Sequence, residues 1–332
     1  MREGVTLLDP SVVTRKIRTA LAPCRLGSWP TPLEVALELG EANGLRALWI
    51  KREDRSSAVY GGSKVRGLEF LLDGGAPETV YVTLGGAGST HCLAVAVHAT
   101  ALLQRAVLAQ FPQPSTDVTR AVAAACQRVA TRVVRARWRA ALPLAVAGAW
   151  LAAQRLGSAR WIPGGGAHPR GVVGHFLAGL ELACQLSDPP DAIVVPLGSG
   201  GTAAGLALAV AALDWHTRVV AVRVAPVLVA NRWRVLTLAH GATRVLARLD
   251  VPLQRRDALP VDVIDGIGAG YGHPTVAGEA ARALAAKHGV TLESTYGAKS
   301  FGALPAVAAR GFLRVVFWHT FAWPPRVLER SA

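Results

Sequence analysis

Only five lysines (Lys16, Lys51, Lys64, Lys287 and Lys299) stand among 36 basic side chains, so this chain strongly prefers arginine. One of the five lies in Tyr60-Gly61-Gly62-Ser63-Lys64-Val65-Arg66-Gly67-Leu68-Glu69-Phe70. Lysine can give up its proton and attack a carbonyl carbon, which arginine effectively cannot. A glycine turn that opens a helix presents such an amine in a cleft. The chemistry this placement points to is a Schiff-base lysine, of the kind that holds pyridoxal phosphate. The ordinary alternative is a surface lysine at the start of a helix. Lys51 is the rival amine, and its place at a strand end favours a structural ion pair.

Two glycine-rich turns could receive anions. Gly198-Ser199-Gly200-Gly201-Thr202 follows the apolar strand Asp191–Leu197 and precedes a helix. Bare main-chain NH groups and the helix dipole at such a turn suit a phosphate; the alternative is a tight turn that needs small residues for packing. Gly198-x-Gly200-x-x-Ala203 also fits a loose dinucleotide pattern. That fingerprint expects an acid about 20 residues on, at the end of the next strand, where this chain has Arg223-Val-Ala-Pro226. The second turn, Gly85-Gly86-Ala87-Gly88-Ser89-Thr90-His91, offers free amides and two hydroxyls to a carboxylate, or is a packing turn capped by Ser89. Two of the four tyrosines, Tyr271 and Tyr296, sit beside glycines where a hydroxyl can reach a ligand; packing is the alternative for each.

These groups must be carried by alternating strands and helices. Ala47–Lys51, Val80–Leu84, Asp191–Leu197, Arg218–Val224 and Leu313–Trp318 read as buried strands. Helices are expected from His91 to about Leu108, over Ala121–Ala153 with a possible break at Pro143, over Gly174–Leu186 and around Val276–His288. Strand, glycine turn and helix in succession imply a parallel sheet with crossover helices, its turns at one edge. With 332 residues, 51% hydrophobic and 17% charged, the chain can bury a large core. The net charge of +14 invites a nucleic-acid reading. The arginines are scattered, however, without a dense run interleaved with aromatics, so no nucleic-acid partner is expected. Cys24, Cys92, Cys126 and Cys184 lie far apart without zinc spacing. No export signal shows in Met1–Ala20, and the longest uncharged apolar run, Ala140–Ala153, is too short to span a bilayer. No membrane partner is expected, and a reducing, cytoplasmic location is.

In its motifs and their order, the chain resembles the pyridoxal-phosphate enzymes of the tryptophan-synthase β fold (fold type II). Within them it is most similar to the D-cysteine desulfhydrase and 1-aminocyclopropane-1-carboxylate deaminase group. Lys51-Arg-Glu-Asp54, Gly61–Glu69, Gly85–His91, Ile162-Pro-Gly-Gly-Gly166, Gly198–Gly205, Gly270-Tyr-Gly-His-Pro274, Tyr296-Gly-Ala-Lys299 and His319-Thr320 carry the resemblance; residues 105–160 match poorly. It implies two open, mostly parallel sheets with helices on both faces, a small domain over 59–169 inserted in a large one built from 1–58 and 170–332, and a homodimer. It assigns Lys64 to the covalent link with pyridoxal 5'-phosphate and Gly198, Ser199, Gly200, Gly201 and Thr202 to the phosphate. Ser89, Thr90 and His91 face the substrate carboxylate and the cofactor ring, and Thr320 the pyridine nitrogen. Tyr271 and Tyr296 flank the substrate amine and leaving group, so that Lys64, Ser89, Tyr271 and Tyr296 form the catalytic set.

The family's Gln-Ser-Asn is Gly88-Ser89-Thr90 here, and its His-Thr-Gly-Gly is His319-Thr320-Phe321-Ala322. After the second tyrosine, deaminases carry glutamate and desulfhydrases threonine; this chain has Gly297. The residue after His319 is threonine, as in desulfhydrases. The expected activity is therefore β-elimination from a small amino acid such as D-cysteine, giving pyruvate, ammonia and sulfide. The alternatives are cyclopropane-ring deamination and a divergent cofactor-binding protein without turnover.

Overall fold

The computed structural model describes residues 8–251, 253 and 258–324; residues 1–7 of the stretch read for an export signal lie outside them. The first segment runs α1 (Pro10–Leu21), β1 (Leu33–Val35), α2 (Leu37–Glu41) and β2 (Ala47–Arg52). Next come α3 (Lys64–Leu68), β3 (Thr79–Gly86), α4 (Thr90–Ala101), β4 (Arg105–Phe111), α5 (Asp117–Val129), β5 (Arg132–Arg135), α6 (Leu142–Leu156) and β6 (Ser158–Trp161). The remainder is α7 (Pro169–Ala183), β7 (Ala192–Leu197), α8 (Gly201–Ala212), β8 (Arg218–Arg223), α9 (Arg232–Ala247), β9 (Val261–Asp265), α10 (Val276–Lys287), α11 (Gly297–Phe301), α12 (Leu304–Ala308) and β10 (Arg314–His319).

Two sheets result. One has the order β1-β2-β10-β7-β8-β9 and is parallel except for the β1–β2 edge; the other, β5-β4-β3-β6, is parallel throughout. The first draws its strands from both sides of residues 79–161, which supply the whole of the second. Parallel strands covered by helices on both faces are apolar on both faces, as in Ile193-Val194-Val195 and Val219-Val220-Ala221-Val222, all enclosed. Helix α8 is buried on every side and carries no polar stripe. Fully burying one of its leucines contributes about 1.5–3 kcal/mol.

The expected helix His91–Leu108 is shorter. It ends at Ala101; Gln104 NH closes the end on Ala99 O (2.8 Å), and β4 begins at Arg105. Helix and strand here are both enclosed, so their apolar runs merge and periodicity cannot separate them. The expected helical stretch Ala121–Ala153 is likewise two helices with β5 between them. Pro143 stands in the first turn of α6, where its missing NH costs nothing.

Small residues set the spacing that matters for the site. A β-carbon on Gly174 would lie 1.9 Å from Arg66 O, so α7 touches the backbone of α3 directly. Helix α8 packs on the other side of α7. The lysine helix and the second glycine turn are thereby held at a fixed separation. Strand β10 lies between β2 and β7, so its end delivers Thr320 between the turns that follow those two strands. Among the described residues no helix is long and apolar enough to cross a membrane.

Candidate active site

The lysine segment is fastened from three directions. Gly62 NH donates to Glu53 O (2.9 Å) and Ser63 NH to Thr320 O (3.1 Å), tying the start of α3 to the ends of β2 and β10. Behind it, Arg66 donates through Nε and Nη2 to Glu53 (3.0 and 2.8 Å) and through Nη1 and Nη2 to Glu181 (both 2.8 Å). Its guanidinium lies 3.6 Å from the centre of the Trp29 ring. Lys51 completes this buried network, with Nζ 2.5 Å from Glu181 Oε1 and donating to Thr31 O (2.8 Å) and Gln185 Oε1 (2.5 Å). Buried ion pairs of this kind contribute fixed geometry more than net stability. The structural ion pair expected of Lys51 is present, and its amine is fully engaged.

Lys64 turns the other way, into a cleft of about 650 Å³. Its amine has no hydrogen-bonding partner among the described residues. Burial lowers its pKa from 10.5 to about 8, because the charged form loses hydration without gaining a counter-ion. The same cleft is lined by Ser89, Thr90, His91, Gly198, Ser199, Gly200, Gly201, Thr202, Tyr271, Tyr296 and Thr320, so the fold brings every predicted site residue to one place.

At its second glycine turn, Gly200 adopts φ +92°, a left-handed conformation that disfavours side chains, and serves as N-cap of the twelve-residue helix α8. The turn presents main-chain NH groups and the positive end of the helix to the cleft. The Ser199 hydroxyl donates to Gly165 O (3.3 Å), joining the turn to the Pro163–Gly166 segment. Arg223, near where a dinucleotide site would place its acid, pairs with Asp265 (2.8 Å).

At the first turn, the Ser89 hydroxyl caps α4 by accepting from Cys92 NH (3.3 Å). His91 is enclosed, with Nε2 2.9 Å from Thr83 Oγ1; burial and the nearby Lys64 charge lower its pKa to about 3, so the ring is neutral at ordinary pH. The glycine at position 88 has a local cause. A β-carbon there would lie 2.6 Å from Thr119 Cα and 2.7 Å from Gln113 Nε2. Gln113, from the loop after β4, occupies the space beside this turn.

The two tyrosines are less open than their glycine neighbours imply. Their hydroxyls hydrogen-bond to each other at 2.8 Å, with the rings edge to face. Burial raises both pKa values, most strongly that of Tyr296. Two groups given no role by the sequence reading hold them. Glu293, itself buried, accepts from the NH groups of Thr295, Tyr296 and Gly297 (2.7, 2.8 and 2.5 Å). Lys299 Nζ donates to Ile267 O and Gly270 O (2.6 and 3.0 Å), clamping the Tyr271 loop. An acid three residues before Tyr296 and a lysine three after it were the available signals. His175, enclosed between α3 and α8, gave none, since a lone histidine on an apolar helix reads as core.

A desolvated lysine facing a helix-opening anion cup across one cleft fits an aldehyde phosphate cofactor. The comparisons agree. A family model described as pyridoxal-phosphate dependent enzyme matches residues 24–320. The chain belongs to the pyridoxal-phosphate-dependent enzyme family, and pyridoxal phosphate is its cofactor. It is 35% identical to the nocardicin C-9' epimerase of Nocardia uniformis subsp. tsuyamanensis, over 83% of this chain and 86% of that one. It is 28% identical to the D-cysteine desulfhydrase of Salmonella paratyphi C (strain RKS4594), over 90% and 95% respectively. Among solved structures, one described as an ACC deaminase homologue superposes with a TM-score of 0.78 at 26% identity, covering 92% of this chain and 94% of that one. The chain is thus an enzyme of the fold type II group to which desulfhydrases and deaminases belong.

Proposed function

We propose that the protein removes the α-proton of an amino acid with Lys64 as the base, and that β-elimination from a D-cysteine-like substrate is the net reaction. The observation that carries this reading is the unpartnered, desolvated Lys64 amine facing the 198–202 turn across a single cleft. Lys64 would hold pyridoxal phosphate, the NH groups of Gly198–Thr202 its phosphate, and the Thr320 hydroxyl its ring nitrogen. When bound, the cofactor withdraws electrons from the α-carbon of an attached amino acid.

The remaining work falls to this chain's side chains. Ser89, Thr90 and the first amides of α4 orient the substrate carboxylate. Neutral His91 supports that end without adding charge. Lys64, neutral in an appreciable fraction near pH 7, accepts the α-proton. The Tyr271–Tyr296 pair supplies a proton to the departing thiolate as the carbon–sulfur bond breaks and its electron pair leaves with sulfur. Hydrolysis completes the balance: cysteine and water give pyruvate, ammonia and hydrogen sulfide.

A second reading is epimerisation, in which a proton returns to the opposite face of the same carbon. Two observations favour it: the 35% relative carries that activity in its name, and Gly297 offers no side chain to a leaving group. Ring-opening deamination is disfavoured by the same absent glutamate. One experiment separates the outcomes. The holoenzyme is incubated in heavy water with D- and L-cysteine and with non-eliminable amino acids, and sulfide, α-deuteration and chirality are followed. Sulfide from D-cysteine supports elimination, whereas deuteration with inversion and no sulfide supports epimerisation. A result with neither sulfide nor α-deuteration from any substrate refutes both.

A further inference from the structure

The cleft continues outward past Lys64 and the two turns, and its mouth has a character that proton removal alone does not require. On one side, the segment after β8 and the first turn of α9 bring Leu228 and Trp233 to the opening, 89% and 72% exposed. Large apolar side chains displayed together beside a cleft mark a binding surface. Facing them across the cleft is Phe111, whose ring also packs against Tyr271 (centroids 6.5 Å apart). The apolar wall is therefore continuous with the groups around the reacting carbon.

Two arginines line the same space, and neither guanidinium has a hydrogen-bonding or ion-pair partner among the described residues. Arg234 flanks the 198–202 turn, its Cγ 3.6 Å from where a β-carbon on Gly200 would stand. Arg139 stands at the opposite wall, its guanidinium 5.8 Å from the Phe111 ring centre. Its free positive charge beside an apolar wall is complementary to an acid at the far end of an apolar group. The cleft of about 650 Å³ spans both the 198–202 turn, where the cofactor would sit, and the Leu228–Trp233 rim, where a substrate side chain would.

We propose that the substrate is an amino acid whose side chain carries an extended aromatic or apolar group ending in an anion, seated between Phe111 and the Leu228–Trp233 rim with its acid against Arg139. The assignment rests on α-carbon chemistry at Lys64 and supplies the substrate class for either outcome of that chemistry.

The test titrates reconstituted holoenzyme calorimetrically with D-cysteine, S-benzyl-D-cysteine and S-(4-carboxybenzyl)-D-cysteine, and follows α-proton exchange and thiol release of each in heavy water. Burial of the phenyl group is expected to tighten binding about 30-fold over D-cysteine. The added carboxylate gives about threefold more, lost at high salt. In Leu228→Ser/Trp233→Ser the benzyl-to-cysteine affinity ratio should fall toward one. In Arg139→Gln the carboxybenzyl-to-benzyl ratio should do the same. Equal affinity for the three ligands, or ratios unchanged in the variants, overturns the proposal. So does a double variant whose oligomeric mass changes while the ratios stay put, since the rim is then a contact between copies of the chain. The two claims fail separately. Preference in affinity with neither proton exchange nor thiol release sinks the catalytic reading, whereas exchange or thiol release without preference sinks this one.

Discussion

Replacing Lys64 and Lys51 one at a time separates the amine that reacts from the amine that merely holds the fold. Lys64 has no hydrogen-bonding partner among the described residues, and burial lowers its pKa to about 8. At pH 7 about a tenth of its amine is therefore neutral, against roughly 3 in 10,000 for an unperturbed lysine, a gain of about 300-fold in reactive form. Lys64→Ala should abolish the visible absorbance of lysine-bound cofactor while leaving the melting temperature of the cofactor-free protein within a degree or two. Lys51 is the reverse case. Its loss strips Glu181 of one of two cationic partners in a buried network, the other being Arg66. Breaking a buried pair costs about 3–5 kcal/mol, and the surviving Arg66 contacts place this change near 3. At about 2.1 cal/mol/K per residue, unfolding of 332 residues carries roughly 0.7 kcal/mol/K, so melting as one unit would fall about 4 °C. The assay is an absorbance spectrum after reconstitution, followed by thermal unfolding without cofactor. A visible band that survives in Lys64→Ala and disappears in Lys51→Ala would refute the assignment and the reasoning from burial behind it.

The pH dependence of cofactor capture has a definite sign. The neutral amine gains population as pH rises through about 8, so the observed rate of band formation should climb about tenfold per unit below that value and level off above it; a flat profile from pH 6 to 8 contradicts it. Gly200→Ala forces a β-carbon into φ +92°, which should cost about 1–2 kcal/mol and weaken cofactor affinity about tenfold, measured by equilibrium dialysis. Tyr296→Phe removes one hydroxyl of the 2.8 Å pair and should slow product formation about 100-fold with little change in the visible band. Gly297→Thr should fold normally, because its β-carbon would meet only ordinary contacts, Leu292 Cδ2 at 3.5 Å and Glu293 Oε1 at 3.6 Å. With a hydroxyl restored beside Tyr296, sulfide release from D-cysteine should rise roughly tenfold. Unaltered sulfide release would show that this position does not govern elimination.

Much of the site was legible because its chemistry leaves local marks. Glycine turns between apolar strands and helices announce anion cups, and a lysine kept by an arginine-rich chain announces a reactive amine. The mixed α/β alternation followed from the same punctuation. Legibility failed between residues 91 and 153, where strand β4 and the helices around it are buried together. Alternation between apolar and polar residues exists only where one face meets water, which α4 and the interior of β4 scarcely do, while α6 does meet water but puts Leu144 and Leu151 on its exposed face, which hides the pattern. Arg132-Val-Val-Arg135 was too short a strand to stand out from the alanine-rich helices on either side.

The residue types along this chain determined what chemistry was available: a lysine amine behind a glycine turn, two turns of bare amides, and a pair of tyrosines set among glycines. Each of those depends on bonds between near neighbours, so it can be read from a short stretch. Which lysine stays free was decided by Glu181, 130 positions from Lys51, and which tyrosine hydroxyls meet was decided by Glu293 and Lys299 fixing two separate loops. The packing of Gln113 beside the Gly86–Gly88 turn, and the apolar rim at the cleft mouth, are also products of how distant segments pack. Burial and ion pairing arise only when such segments meet, and they set proton affinities and pocket shape; no local pattern in the chain encodes them.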